Sequence, residues 1–220
     1  MDKAFIFDLN GTMIDDMQFH IKAWHYILNQ QLGANLDRDE VKGQMYGKNS
    51  ELLERVFGAN RFTKSEMDRI SLEKERRYQE EFRPHLKLIA GLQEFLQQSH
   101  EAAIPMAIGS AAIMFNIDFV LDNLGIRHYF KAIVSADDVV LSKPDPETYL
   151  KAATLLSMAP ATCIVFEDAP KGVEAAEGAG MDCIALTILH EEQEFSQYSN
   201  IIRFIKDYKN LTPAELLKSD

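Results

Sequence analysis

The sequence predicts an α/β fold in which a parallel sheet carries helices on both faces and a helical segment interrupts the chain after the first strand. Residues 85–220 alternate short apolar runs with amphipathic stretches, which is typical of strand–helix units. Residues 15–84 show helical periodicity and contain no convincing strand. We therefore expect a core domain formed by residues 1–14 and 85–220, and a helical cap domain formed by residues 15–84.

The composition limits the classes of function. The chain has 220 residues, of which 46% are hydrophobic and 26% charged, and its formal net charge is −11. This charge argues against binding to nucleic acid or to an anionic membrane. No apolar run approaches the roughly 20 residues that span a bilayer. Cys163 and Cys183 lie in apolar segments and are expected to be buried thiols, so we expect a cytoplasmic protein.

The first strand and the helices of the insertion follow from apolar patterns. The run AFIF, residues 4–7, is continuous, as expected for a strand buried on both faces. Three helices are predicted in the insertion, and the third begins at Thr63, which forms a capping box with Glu66. These three segments are HIKAWHYILNQQLG, SELLERVFG and TKSEMDRISLEKERRYQEEF.

The remaining elements alternate. Four helix–strand pairs are predicted after Pro84, and right-handed crossovers make their strands parallel. The pairs are GLQEFLQQSH with IPMAIGS, MFNIDFVLDNLG with AIVSA, DPETYLKAATLLS with TCIVFED, and GVEAAEGAG with DCIALTIL. The later segment SNIIRFIKDY fits either a strand or a helix.

Chemically versatile side chains follow four of the predicted strands. In an open parallel sheet, ligands bind beyond the carboxyl ends of the strands. Those ends carry an acid, a hydroxyl, a lysine and an acid pair, which are the groups that phosphoryl transfer with a metal requires. The residues are Asp8, Ser110, Lys143, Glu167 and Asp168.

Each of these groups also has a structural explanation. Asp8 could form a turn or cap a helix, and Ser110 and Asp145 could cap the helices that follow them. The pair Asn10-Gly11 is a hairpin signal, although AFIF lacks the alternation of a two-stranded ribbon. Two acids at the edge of a sheet repel each other unless a cation is present. Taken together, the four strand ends favour a functional site.

These motifs resemble those of the haloacid dehalogenase superfamily of phosphatases and phosphotransferases. The matching residues are Asp8-Leu9-Asn10-Gly11-Thr12, Ser110 at the end of MAIGS, Lys143 in SKPDP, and Glu167-Asp168 in VFEDAPKGVEAA. The helical insertion, the stretch QFHIKAW and the loop KPDPETY most resemble the β-phosphoglucomutase-like branch. The resemblance implies a Rossmann-like core of three layers with the insertion acting as a cap.

The resemblance also implies a mechanism with Mg²⁺ as cofactor. Asp8 would attack phosphorus, and Ser110 and Lys143 would bind the transferring phosphoryl group. Thr12 and Ala111 would assist in binding the substrate. The metal ligands would be Asp8, the main-chain carbonyl of Asn10 and Asp168, with Glu167 beside the ion or joined to it through water.

Position 10 departs from the family pattern, which has an acid there as general acid and base. An amide cannot give or take a proton near neutral pH, so Asn10 is expected to impair turnover. The amide is either a change introduced to trap a substrate or a native feature of a slow protein that uses another proton carrier such as His20. We favour the first, because the other motif positions are intact.

The resemblance extends to residues of the insertion that would contact substrate. His20, Trp24, Gly47, Lys48 and Lys74 are the candidates. Trp24 fits the core of its helix equally well, His20 fits a polar surface, and Lys74 in the run EKERR fits a solvated helix face. In the family, β-phosphoglucomutase presents an arginine that binds a second phosphate, and this chain has Asn49 and Ser50 at the matching place.

The missing arginine favours a phosphatase that acts on a small phosphorylated metabolite, with a sugar phosphate expected. The alternatives are a β-phosphoglucomutase, which converts glucose 1-phosphate to glucose 6-phosphate, and an inactive metabolite-binding protein. A dehalogenase is disfavoured, because that branch has no use for the metal-binding acid pair. We expect no nucleic-acid or membrane partner, and a monomer.

Overall fold

The computed structural model describes residues 3–217 and contains a six-stranded parallel sheet in the order β3-β2-β1-β4-β5-β6. The strands are β1 (Ala4–Phe7), β2 (Met106–Gly109), β3 (Ala132–Val134), β4 (Cys163–Glu167), β5 (Asp182–Leu186) and β6 (Ile201–Ile205). The predicted α/β fold is confirmed, and SNIIRFIKDY supplies the edge strand β6.

Helices follow the strands as the apolar periodicity predicts. Those of the α/β core are α5 (Leu92–Glu101), α6 (Met114–Leu124), α7 (Glu147–Leu156), α8 (Pro170–Gly178) and α9 (Pro213–Leu216). Those of the insertion are α1 (Met17–Tyr26), which continues as a π-helical turn (Ile27–Gln31), α2 (Arg38–Gln44), α3 (Asn49–Phe57) and α4 (Lys64–Phe82). The capping box between Thr63 and Glu66 is present at the start of α4.

The chain divides into two compact units, one made of the residues up to Asp15 together with those from Lys87 onward, and the other of Asp16–Leu86. No helix among residues 3–217 is sufficiently long and apolar to cross a membrane. Cys163 and Cys183 are both buried free thiols, as predicted.

The central strand β1 buries both of its faces. Ala4 and Ile6 belong to an apolar cluster with residues of α7 and α8, such as Tyr149 and Val173. Phe5 and Phe7 point to the other face, where the ring of Phe95 from α5 lies 5.6 Å from that of Phe5. The continuous run AFIF is therefore apolar because helices cover both sides of the strand.

The helical unit has its own core. Buried apolar side chains from α1 to α4 meet there, among them Trp24, Leu28, Val41 and Leu53. The short helix α2 was not predicted; it begins with a capping box between Asp37 and Glu40 and buries Val41 alone.

Candidate functional site

The register of the sheet places the four predicted strand ends together. Phe7 of β1 pairs with Ile108 of β2 and with Phe166 of β4. Asp8, the next residue, donates its backbone N–H to the carbonyl oxygen of Phe166 at 2.9 Å and is buried. The hairpin interpretation of Asn10-Gly11 is wrong, because within residues 3–217 the pairings of β1 are with β2 and β4, and both are parallel.

Three buried carboxylates meet at this edge of the sheet. Asp8, Glu167 and Asp168 each offer one oxygen, and these oxygens lie within 4.8 Å of one another. Burial raises the pKa of Asp168 well above its usual range, and the neighbouring charges of Glu167 and Asp8 raise it further. Carboxylates that repel each other in this way are stabilised by a cation.

The oxygen atoms present fit Mg²⁺, which binds through one or two carboxylates and keeps several waters. The backbone next to the cluster supports this fit. Gly11 has a φ of +77°, and a Cβ placed on it would lie 2.1 Å from Oδ2 of Asp168. Glycine is therefore required at position 11, both by its backbone conformation and by the close approach of the carboxylate.

Lys143 is the cation of the site. Its Nζ donates to Oδ1 of Asp8 at 2.8 Å, to Oε1 of Glu167 at 2.8 Å and to the hydroxyl oxygen of Tyr149 at 2.7 Å. Burial alone would lower the pKa of Lys143, but the charges of Asp8 and Glu167 outweigh burial and raise it. The ammonium group therefore stays charged next to the predicted nucleophile.

Tyr149 is a site residue that was not predicted from the sequence. It lies in α7, is fully buried, and its hydroxyl donates to Oε1 of Glu167 at 3.0 Å. Burial, followed by the charge of Glu167, raises the pKa of Tyr149, so the hydroxyl remains protonated. Its position in the loop KPDPETY, six residues after Lys143, was the available signal, although an aromatic residue in an amphipathic helix normally indicates only a core position.

The other predicted residues of the core lie at the same strand ends. The hydroxyl of Thr12 is buried and donates to Oδ1 of Asp168 at 3.0 Å. Ser110 is buried, and its hydroxyl oxygen accepts the backbone N–H of Ala112 at 3.1 Å. Ala111 is exposed and Asn10 is half-buried. Their roles toward substrate stay predictions.

The helical unit contains a separate buried polar cluster. Lys74 is 2% exposed, so the expectation of a solvated helix face is wrong. Its Nζ lies 2.6 Å from Nδ1 of His20 and donates to both carboxylate oxygens of Glu75 at 3.0 Å. Burial lowers the pKa of Lys74, while the charge of Glu75 opposes that shift. His20 is also buried, which contradicts the polar-surface alternative.

Further contacts extend this cluster. Nε2 of His20 lies 3.3 Å from Oδ2 of Asp16, and the ring of His20 stacks on Tyr78 at 3.7 Å. The hydroxyl of Tyr78 donates to the same oxygen of Asp16 at 2.5 Å. Trp24 belongs to the apolar core of the unit, which favours its structural interpretation.

The loop before α3 carries the other predicted contact residues. Gly47 has a φ of +71°, and Lys48 precedes the first turn of α3, where its backbone N–H donates to Oε2 of Glu51 at 2.9 Å. The side-chain amide of Asn49 donates to Oε1 of Glu75 at 2.7 Å, which links this loop to α4. Glu75 was not predicted from the sequence.

The fold and the site define the chain as an enzyme of the hydrolase or phosphotransferase type, with an aspartate, a lysine and an acid pair at the ends of parallel strands. The chain belongs to the haloacid dehalogenase-like hydrolase family, whose model matches residues 5–186.

Its relatives include enzymes that act on sugar phosphates. The chain is 31% identical to the fructose-1-phosphate phosphatase YqaB of Escherichia coli, over 84% of this chain and 97% of that protein. It is 33% identical to a β-phosphoglucomutase of Bacillus subtilis, over 84% of this chain and 83% of that protein. A crystal structure of a hydrolase of this superfamily from Entamoeba histolytica superposes with a TM-score of 0.86 at 26% identity, covering 98% of this chain and 97% of that one.

Proposed function

We propose that this chain is a Mg²⁺-dependent phosphatase that acts on a small phosphorylated metabolite, a sugar phosphate, through an aspartyl phosphate at Asp8. The observation that carries the proposal is the 2.8 Å contact between Nζ of Lys143 and Oδ1 of Asp8, within a cluster of three buried carboxylates. A nucleophile beside a fixed cation and a cluster suited to a divalent ion are the parts that phosphoryl transfer requires.

The residues of this chain have the following proposed roles in phosphoryl transfer. An oxygen of Asp8 forms a bond to phosphorus while the bond from phosphorus to the leaving oxygen breaks. Lys143 and Ser110 hold the transferring oxygens, and Thr12 keeps Asp168 in place through its 3.0 Å hydrogen bond. Water then attacks phosphorus, which releases phosphate and restores Asp8.

Asp8, Asp168 and the main-chain carbonyl of Asn10 would hold the metal, with Glu167 next to them. When bound, Mg²⁺ offsets the negative charge of the phosphoryl oxygens and of the carboxylates. The leaving oxygen needs a proton, and the attacking water must lose one. The amide of Asn10 can do neither, so both steps are expected to be slow in this chain.

The helical unit is proposed to act as a cap that recognises the leaving group through His20, Lys74, Lys48 and Gly47. The charge of Lys74 is already offset by Glu75, whose carboxylate also accepts the amide of Asn49. A cluster balanced in this way suits the hydroxyl groups of a sugar better than a second phosphate. This supports a phosphatase over a mutase, and we propose that it works as a monomer in the cytoplasm.

A β-phosphoglucomutase remains the second candidate, because the relative from Bacillus subtilis is 33% identical. The test compares this chain with its Asn10→Asp variant on a panel of sugar phosphates, nucleotides and pyrophosphate. We expect the variant to release inorganic phosphate from sugar phosphates. Conversion of glucose 1-phosphate to glucose 6-phosphate would instead identify a mutase, and no gain on any substrate would identify a metabolite-binding protein.

A further inference from the structure

We propose that Tyr208 is a positioning residue for the metal site, because its hydroxyl holds the turn of residues 9–14 in the place where Thr12 meets Asp168. The inference rests on the proposed function, since it concerns the same Mg²⁺ site. It assigns a role to the segment that follows β6, which brings Tyr208 back to the first strand although 196 positions separate it from Thr12 in the sequence. Tyr208 was not predicted from the sequence.

The contact that carries the inference joins Tyr208 to Thr12. The hydroxyl of Tyr208 donates to the main-chain carbonyl oxygen of Thr12 at 3.1 Å, and both residues are buried. The hydroxyl of Thr12 in turn donates to Oδ1 of Asp168 at 3.0 Å. Burial, followed by the charges of Asp168 and Asp8, raises the pKa of Tyr208, so its hydroxyl stays protonated and can donate. A displacement of the main chain at Thr12 would therefore be passed directly to a carboxylate of the metal site.

The turn of residues 9–14 leaves little room for such a displacement. Its backbone is tied by a hydrogen bond from the N–H of Gly11 to the carbonyl oxygen of Ile14, at 2.8 Å. A Cβ on Gly11 would lie 2.1 Å from Oδ2 of Asp168, so the turn and this carboxylate are already in close contact. The same turn contains Asn10, whose main-chain carbonyl is a proposed metal ligand. A shift of the turn would therefore disturb two of the groups that are proposed to hold the metal.

Tyr208 is itself held firmly, as a positioning residue must be. The centre of its ring lies 5.7 Å from that of Phe95 in α5 and 5.8 Å from that of Phe166 in β4. Its backbone N–H donates to the carbonyl oxygen of Ala90 at 2.9 Å. The segment passes so close to Gly91 that a Cβ there would lie 2.6 Å from the carbonyl carbon of Tyr208. The hydroxyl therefore reaches the turn from a packed support, which is what a preorganised site requires.

The test uses Tyr208→Phe, which removes one hydroxyl and no charge and keeps the packed ring. The matched control is Tyr129→Phe, because Tyr129 is also buried and its hydroxyl accepts a hydrogen bond from Gln93 at 3.1 Å. Calorimetry measures Mg²⁺ binding, and thermal melts in EDTA measure the stability of the metal-free protein. We expect Tyr208→Phe to weaken Mg²⁺ binding by about tenfold and the control to leave it unchanged. Unchanged Mg²⁺ affinity in Tyr208→Phe, whether or not its Tm falls, or an equal loss in Tyr129→Phe, would overturn the proposal.

A double-mutant cycle tests the route through Thr12. Thr12→Val removes the hydrogen bond to Asp168 and keeps the main-chain carbonyl. We expect the double variant, Tyr208→Phe with Thr12→Val, to lose less Mg²⁺ affinity than the product of the two single losses, because the two changes act on one residue. Losses that multiply would overturn the proposal. An unaltered chain that binds no Mg²⁺ would overturn the proposed function as well, whereas normal Mg²⁺ binding by Tyr208→Phe overturns this inference alone.

Discussion

The carboxylate cluster predicts that Asp168→Asn stabilises the metal-free protein and abolishes its stabilisation by Mg²⁺. Burial, then Glu167 and Asp8, raise the pKa of Asp168 above its usual value of 3.8. A carboxyl group whose pKa is raised by folding stabilises the folded state fully when the pH lies below its pKa in the unfolded chain. This stabilisation is lost as the pH rises through the raised pKa of the folded state. In Asp168→Asn, the neutral amide no longer repels the carboxylates of Glu167 and Asp8. The oxygen of that amide can still accept a hydrogen bond from the hydroxyl of Thr12.

The magnitude of the metal effect follows from linkage. Mg²⁺ at 100 times its dissociation constant stabilises the folded state by about 2.7 kcal/mol. For a chain of this size, 1 kcal/mol raises Tm by about 2–4 °C, so saturating Mg²⁺ should raise it by about 5–11 °C. Asp168→Asn should show almost none of this increase.

The assay is a series of thermal melts between pH 5 and pH 8, with EDTA or with Mg²⁺. In EDTA, the advantage of Asp168→Asn should grow as the pH rises, because the parent carboxylate must lose its proton beside two other acids. In Mg²⁺, the increase in the Tm of the parent protein should be largest at the higher pH. An Asp168→Asn variant that melts below its parent in EDTA at pH 8, or that keeps the full Mg²⁺ increase, would refute the reasoning.

Three further predictions concern other parts of the molecule. Asn10→Asp should raise kcat on a sugar phosphate by about 10²- to 10⁴-fold, because it restores a general acid and base; steady-state phosphate release measures this, and an unchanged kcat would contradict it. Gly11→Ala should lose Mg²⁺ binding measured by calorimetry, because its Cβ would lie 2.1 Å from Oδ2 of Asp168; normal Mg²⁺ affinity would count against the proposed site. Glu75→Gln should lower the free energy of unfolding measured in urea by about 3 kcal/mol, because it leaves the buried ammonium of Lys74 without the carboxylate of Glu75. The double variant Lys74→Met with Glu75→Leu should recover most of the lost stability.

The core and its site were predictable because their signals are local and repeated. The continuous apolar run AFIF indicates a strand covered on both faces, and each later strand repeats the pattern. Parallel strands bring their carboxyl ends to one edge, so Asp8 and Glu167 were expected near each other once β1 and β4 were placed, and Lys143 reaches both from the segment that follows β3. The distances of 2.8 Å that join Lys143 to the two carboxylates are consistent with this reasoning.

Other features depend on contacts between distant residues and left no local signal. Lys74 lies in the charged run EKERR, which is typical of a solvated helix face, yet it is buried and contacts His20 of another helix, a partner that the local pattern does not indicate. The segment SNIIRFIKDY becomes a strand because β5 offers an edge, where Cys183 pairs with Ile201. The short helix α2 was not predicted, because its single buried residue, Val41, gives no helical periodicity of apolar residues.

The central claim is that Asp8 is the nucleophile, and the chain with Asn10 offers a direct test. Acetyl phosphate has a leaving group that needs no proton, so Asp8 can be phosphorylated without a general acid. Hydrolysis of the product does need proton transfer, so the phosphorylated form should accumulate. Acid-quenched mass spectrometry with peptide mapping should find one added phosphoryl group on Asp8 in the presence of Mg²⁺, and none in Asp8→Asn. Equal labelling of Asp8→Asn, or a phosphoryl group on any other residue, would contradict the account.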